Sequence, residues 1–209
     1  MTDPKPSLAK AIQTQFAPML RRDGFSGTGQ RYWRVLSGQC QLVEVQSSRD
    51  GGKFAVNLGI QPLAVPLLSG VEPEPKRMRE MDCLLRRRLA IQKSDQWWDY
   101  QLTQPSMDAA AQDAAAVYEQ VGKRQLEFMA QPNSPVNTLS PEEFTAGAFE
   151  FNGFGNTSAL MAWTLAHLRM ATGNSTEARG FARVALEEIG DGRWGSGLKK
   201  ELRDLLESA

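Results

Sequence analysis

Lys53 to Gln61 reads KFAVNLGIQ, and this stretch decides the fold. Phe54, Val56, Leu58 and Ile60 alternate with Ala55, Asn57, Gly59 and Gln61. A period of two is that of a β-strand, so the first set forms a core face and the second a more polar face. Upstream, Gln30 to Leu36 (QRYWRVL) and Gln39 to Ser48 (QCQLVEVQSS) are rich in aromatic or β-branched residues. Ser37-Gly38 and Arg49-Asp50-Gly51-Gly52 connect the three runs. Strands joined by such turns predict an antiparallel meander.

Working outward, Ser7 is a natural N-cap, and Leu8, Ile12 and Phe16 make one helical stripe. Pro18 ends, kinks or restarts that helix, because it has no N–H to donate. Asp23-Gly24 reads as its stop. Downstream, Pro62 to Pro75 holds four prolines and a glycine and predicts an irregular connection. Met81 to Ile91 (MDCLLRRRLAI) is read as a fourth strand. From there the character is helical. An alanine-rich helix is expected over Ser106 to Ala130, packing through Val117, Val121, Leu126 and Phe128. Ser140 caps a short helix that has Pro141 in its first turn. Ser158 to Thr172 and a helix capped by Ser175 form a hairpin, and Leu198, Leu202, Leu205 and Leu206 define a last amphipathic helix. The expected fold is α+β: an N-terminal helix on an antiparallel sheet of about four strands, followed by a helical C-terminal half. The corresponding units are residues 1–105 and 106–209.

Composition excludes several function classes. Twenty-four Lys+Arg balance 24 Asp+Glu over 209 residues. Non-specific nucleic-acid binding needs a cationic surplus to displace counterions, so no nucleic-acid partner is expected. One histidine and two cysteines do not furnish the usual structural zinc cage, and no metal or cofactor is expected. Cys40 and Cys83 are read as buried thiols. Met1 to Lys10 has no apolar core of signal-peptide length, and no apolar run is long enough to span a bilayer. The expectation is a cytoplasmic protein without membrane contact.

Six short pieces occur in order: Gly24-Phe25, Tyr32-Trp33-Arg34, Val45 to Ser48, Phe54 to Gly59, an Arg-bearing Leu85 to Leu89, and Asp95 to Trp98. Together they resemble a bacterial family of unknown function, domain-of-unknown-function family 4304, over roughly residues 8 to 100. The resemblance implies a boundary for the sheet unit. It implies no activity and no catalytic residues.

The candidate sites are therefore read from the residues. Arg34, Glu44, Gln46, Ser48 and Asn57 are placed on one polar face of the meander, subject to strand register. This is either a ligand surface or a solvated face with an Arg34–Glu44 ion pair. Gln46 and Asn57 stand out, because amides are poor strand formers and mid-strand they point to a specific hydrogen-bonding task. The task suggested is holding the Pro62–Pro75 connection. Of Trp97 and Trp98, one ring is expected in the core and the other half-exposed. Arg86, Arg87 and Arg88 either meet phosphate or an acidic partner or are neutralised by Glu72, Glu74, Glu80 and Asp82 upstream. His167 lies between apolar helical turns, with no nucleophile-elbow motif in the sequence, and reads as packing.

The resulting ligand-binding candidates are Arg34, Gln46, Ser48, Asn57 and Trp97, and the partner-binding candidates are Arg86, Arg88 and Trp98. No catalytic residue is assigned. The leading expectation is a non-enzymatic binding module with a protein partner, for which an immunity or adaptor role fits. The alternative is a small-ligand binder or enzyme using the polar sheet face.

Overall fold

Every residue from Phe54 to Pro62 is buried, on both faces of the strand. The structure is a computed structural model and describes residues 5–92, 95–147, 149–191 and 195–208. The buried stretch is β4 (Lys53–Pro62). On one side it pairs with β3 (Gln39–Ser47), which leads out to β2 (Arg31–Leu36) and β1 (Ser26–Thr28). On the other it pairs with β5 (Leu85–Arg88) and β6 (Trp98–Asp99). All pairings are antiparallel. The fold is α+β with the predicted meander at its centre. The sheet has six strands among the described residues, where about four were expected. The added β1 and β6 are three and two residues long, too short to show a period. Of Met81 to Ile91 only Leu85–Arg88 is strand, and Glu80–Asp82 is a 3-10 turn.

The register sorts the side chains. Arg31, Glu44, Asn57 and Arg88 form one row across β2 to β5. Arg34, Gln41, Ile60 and Leu85 form a row on the opposite face. On that second face Tyr32, Val43, Phe54, Val56 and Leu58 join one continuous core with the helices. Those helices are α1 (Leu8–Ala11), α2 (Ala17–Arg22), α3 (Gln104–Val117) and α4 (Lys123–Met129). Ser7 caps α1 as expected, its hydroxyl accepting from the Lys10 N–H at 3.4 Å. A π-helical turn, Ile12–Phe16, joins α1 to α2 just before Pro18, whose ring and missing N–H do not fit a continuous α-helix. A second π turn, Tyr118–Gly122, joins α3 to α4. Phe16 and Tyr118 of the two turns meet edge to face at 5.7 Å. The extra residue in the second turn rotates the packing face. The buried stripe runs through Ala110, Ala111, Ala114, Tyr118 and the expected Val117 and Leu126, and the expected Val121 and Phe128 are only partly buried. Alanines let α3 lie close against its neighbours.

The other face of the sheet is covered as well. The connection after β4 folds back so that Leu63, Leu67, Met78 and Cys83 pack on Trp33, Cys40 and Leu42. Gly59 makes room for it, since a Cβ there would lie 2.7 Å from Cys83 Sγ and 3.1 Å from its Cβ. The amide that ties the connection down is Gln61. Its Oε1 accepts from the Leu84 N–H at 3.2 Å, and its Nε2 donates to the Val65 carbonyl at 2.8 Å.

The C-terminal half consists of α5 (Pro135–Thr138), α6 (Pro141–Thr145), α7 (Ser158–Ala171), α8 (Ser175–Ile189) and α9 (Ser196–Ser208). Ser140 and Glu143 form a reciprocal capping box at α6. The cap of α8 is Asn174 rather than Ser175. Buried Arg169 on α7 pairs with Glu177 on α8 at 2.6 Å and donates to the Val136 and Leu139 carbonyls around α5. It thereby joins three helices.

Gly59→Ala is expected to destabilise the protein by about 1–3 kcal/mol, the usual cost of an extra methyl in a packed site. Chemical denaturation measures this. Adding Cys83→Ala removes the closer of the two clashes and recovers part of the loss.

Candidate functional site

The connection reaches the row that contains Asn57 at Arg31, which donates to the Lys76 and Arg77 carbonyls, and at Glu44. On the same face Gln46, Asn57 and Arg88 come together. Asn57 Nδ2 and Arg88 Nη2 each donate to Gln46 Oε1 at 3.0 Å. Arg88 Nε pairs with Asp95 at 3.2 Å, and its guanidinium lies over the Trp97 ring at 4.8 Å. Lys53 Nζ approaches the same ring at 5.3 Å. Six residues from four separate stretches thus form one polar and aromatic patch, with Ile91 53% exposed near Asp95. A groove of about 510 Å³ runs beside it, lined by Gln30, Glu44, Gln46, Asn57, Arg79 and Glu80. Its acids are engaged locally: Glu44 accepts from the Glu80 N–H at 2.8 Å and from Arg79 at 3.2 Å. Burial raises the Glu80 carboxyl above its usual pKa, against the opposing pull of Arg86.

The structure separates residues that sequence reasoning grouped. Arg34 does not share a face with Glu44, because the register puts it opposite Gln41 on the helix side. It is 8% exposed, donates to Gln41 at 2.8 Å and to the Asp23 carbonyl at 2.7 Å, and lies over the Phe25 ring. The Arg34–Glu44 ion pair is replaced by Arg79–Glu44. Ser48 lies past the end of β3 and its hydroxyl accepts from the Asp50 N–H, so it belongs to the turn. Trp98 is 4% exposed; its ring stacks on Phe54 at 5.6 Å and its N–H donates to Asp113 at 2.8 Å. It is therefore a core residue. Asn57 bonds Gln46 rather than the Pro62–Pro75 connection, a task that falls to Gln61.

The arginine triplet divides by strand alternation. Arg86 and Arg88 point to the open face, opposite Gly59 and Asn57. Arg88 finds its acid in Asp95, downstream rather than upstream. Arg87 points to the helix side, where its Nη1 donates to the Asn152 carbonyl and its guanidinium lies 5.8 Å from the Phe154 ring. Burial lowers its pKa from the usual value, though a guanidinium remains charged. It borders a second cleft of about 570 Å³, between β5 and residues 149–154.

Two structural amides escaped the sequence reading. Gln41 and Gln39 donate to the carbonyls of Leu126 and Met129, at 2.7 and 2.9 Å. They satisfy acceptors that the end of α4 leaves free. Their signal was present: amides at two core-facing positions of one strand. The two cysteines are free and buried, and burial pushes the Cys40 thiol up to about 12, away from nucleophilic thiolate. His167 lies 4.4 Å from the Trp163 ring and 3.1 Å from Glu201. Burial lowers its pKa, against the opposing effect of Glu201. Among the described residues no cluster of three or more His, Cys, Asp or Glu is arranged to hold a metal ion, and no helix is long and apolar enough to cross a membrane.

Trp98→Ala is expected to cost about 3–5 kcal/mol, and Trp97→Ala about 1 kcal/mol or less. Urea denaturation of the two variants separates the core ring from the surface ring. The pH response of His167 has a definite sign. Because its folded pKa lies below the unfolded value of 6.5, the unfolded chain takes up the proton more readily. Its contribution is complete above that pH and is lost as pH falls toward the folded pKa. His167→Gln should flatten this part of the melting temperature's dependence on pH below neutrality.

Residues 16–127 match a family described as a domain of unknown function, DUF4304. The match starts at the last residue of the first π turn and ends inside α4, so the family unit includes α2, α3 and most of α4 as well as the strands. It extends well past the boundary near residue 100 that the six sequence pieces implied. No curated protein and no solved structure matches the chain. With more than half of its length matched in one continuous stretch, the chain belongs to the DUF4304 family.

Proposed function

We propose that this chain is a non-enzymatic protein-binding module of the cytoplasm, and that it docks its partner on the open sheet face around Arg88 and Trp97. The carrying observation is the guanidinium of Arg88 held over Trp97, beside exposed Ile91 and between two clefts. Arg and Trp are the side chains most enriched at interface hot spots. Here both are held in place before any partner arrives, Arg88 by Gln46 and Asp95. Pre-organisation of this kind reduces the ordering cost of association. An immunity or adaptor protein of a bacterium is the role such a surface suits.

The polar face supports a small-ligand or enzymatic role less well. Asn57 Nδ2 is spent on Gln46 Oε1, and Glu44 on Arg79 and the Glu80 N–H. That leaves few directed polar groups to orient a substrate, which a ligand site requires.

The test is affinity capture from the native host, with the wild-type chain, Trp97→Ala and Arg88→Ala compared at equal folded fraction. A partner retained by the wild type should be weakened by about tenfold or more in each variant, the usual size of a hot-spot loss. A partner held equally by all three, or none held by the wild type, would overturn the assignment.

A further inference from the structure

We propose that the cleft between β5 and residues 149–154 is a binding site for a monocarboxylate with an apolar body, with Arg87 as the anion receptor. Arg87 is the only arginine of the triplet that faces the helix side. Its hydrogen bonds go to two backbone carbonyls, of Arg88 and Asn152, and no carboxylate lies within 4.0 Å of it among the described residues. Carbonyl oxygens orient a guanidinium without neutralising it, so its charge is left for another anion. Nη2 has no hydrogen-bond partner among the described residues.

The loop is shaped to hold this guanidinium. Gly153 crosses it with φ +79°, and a Cβ at that position would lie 2.8 Å from Arg87 Nη1. Only glycine combines that backbone angle with so close an approach. Two further polar atoms of the lining residues, Arg88 Nη1 and Gln125 Oε1, are shielded from water and lack hydrogen-bond partners among the described residues. Unpaired buried polar atoms are rare, and two beside an unneutralised cation point to a ligand with complementary groups.

The rest of the lining selects the ligand. Phe149, Phe151, Phe154 and Met161 offer apolar surface, and about 570 Å³ accommodates a group of amino-acid size. Asp95 and Glu150 also border the cleft. Their charges repel a doubly charged phosphate more than a singly charged carboxylate. The cleft shares Arg88, Ile91 and Asp95 with the edge of the proposed docking face, but its receptor Arg87 lies on the opposite side of β5 and Trp97 does not line it.

The test is an NMR titration of the full chain with N-acetyl-L-phenylalanine, its carboxamide and inorganic phosphate. The acid should shift the resonances of Gly153, Gln125 and the Arg87 side chain saturably. The carboxamide, which loses the charge-assisted bond, and phosphate, which lacks the apolar body and meets Asp95 and Glu150, should each bind at least about tenfold more weakly. Arg87→Met should abolish binding of the acid, and Gly153→Ala should weaken it by displacing the guanidinium. A carboxamide or phosphate that binds as tightly as the acid, unchanged affinity in Arg87→Met, or no saturable shift would each overturn the proposal. The comparison of acid with carboxamide needs no variant, so the test survives if Arg87→Met fails to fold. A short peptide ending in phenylalanine with a free carboxylate identifies the source of the ligand. Tighter binding than the free acid assigns the site to a chain terminus, weaker binding to a small acid, and either supports a carboxylate site. Trp97→Ala should leave all of these affinities unchanged, which keeps this result separate from that of the docking face.

Discussion

The central constraint is that β4 is buried on both faces. An antiparallel strand usually packs one face on a core and leaves the other to water. Here the helices α1 to α4 close one face and the connection after β4 closes much of the other. The two faces meet the demand differently. The helix side uses bulk, with Phe54, Val56, Leu58 and Ile60. The opposite side uses small or hydrogen-bonding residues: Gly59 admits the connection, and Gln61 binds it. The patch of Gln46, Asn57, Arg88 and Trp97 lies outside the apolar cluster of that second cover.

Strand alternation also explains how one arginine triplet serves different ends. Adjacent residues of a strand face opposite ways, so Arg86 and Arg88 belong to the open face and Arg87 to the interior side. The environment then determines what each charge does. Arg88 has Asp95, Gln46 and the Trp97 ring; Arg87 has carbonyl oxygens and Phe154. The balance of 24 cations and 24 anions in the chain therefore says little about any one site. Arg34 and Arg169 make the same point in the core, each buried and bonded to backbone carbonyls.

Much of the framework was legible because it depends on local periodicity and turn chemistry. The three meander strands lie within a residue or two of where alternation placed them, and Ser7 and Ser140 cap the helices they were expected to cap. The site was less legible because it depends on register. Arg34 and Glu44 looked like neighbours across a turn, but pairing Arg34 with Gln41 places them on opposite faces. Reading Ala55, Asn57, Gly59 and Gln61 as an open polar face failed for another reason. A small or polar side chain marks solvent in most strands, yet it equally marks a place where another backbone must come close. The packing stripe of α3 and α4 was misread where the π turn inserts a residue and rotates the face.

The sequence by itself determined the α+β class, the meander, the order of the helices and the membership of one tryptophan in the core. Those follow from the spacing of apolar residues and from caps and glycine turns, which act over a few residues. Only the tertiary structure decided which tryptophan is buried, which arginines share a face, and which amides serve the helix ends, the connection and the open patch. These depend on pairings between residues far apart in the chain. There a shift of one position exchanges interior for surface, and no local pattern records the shift.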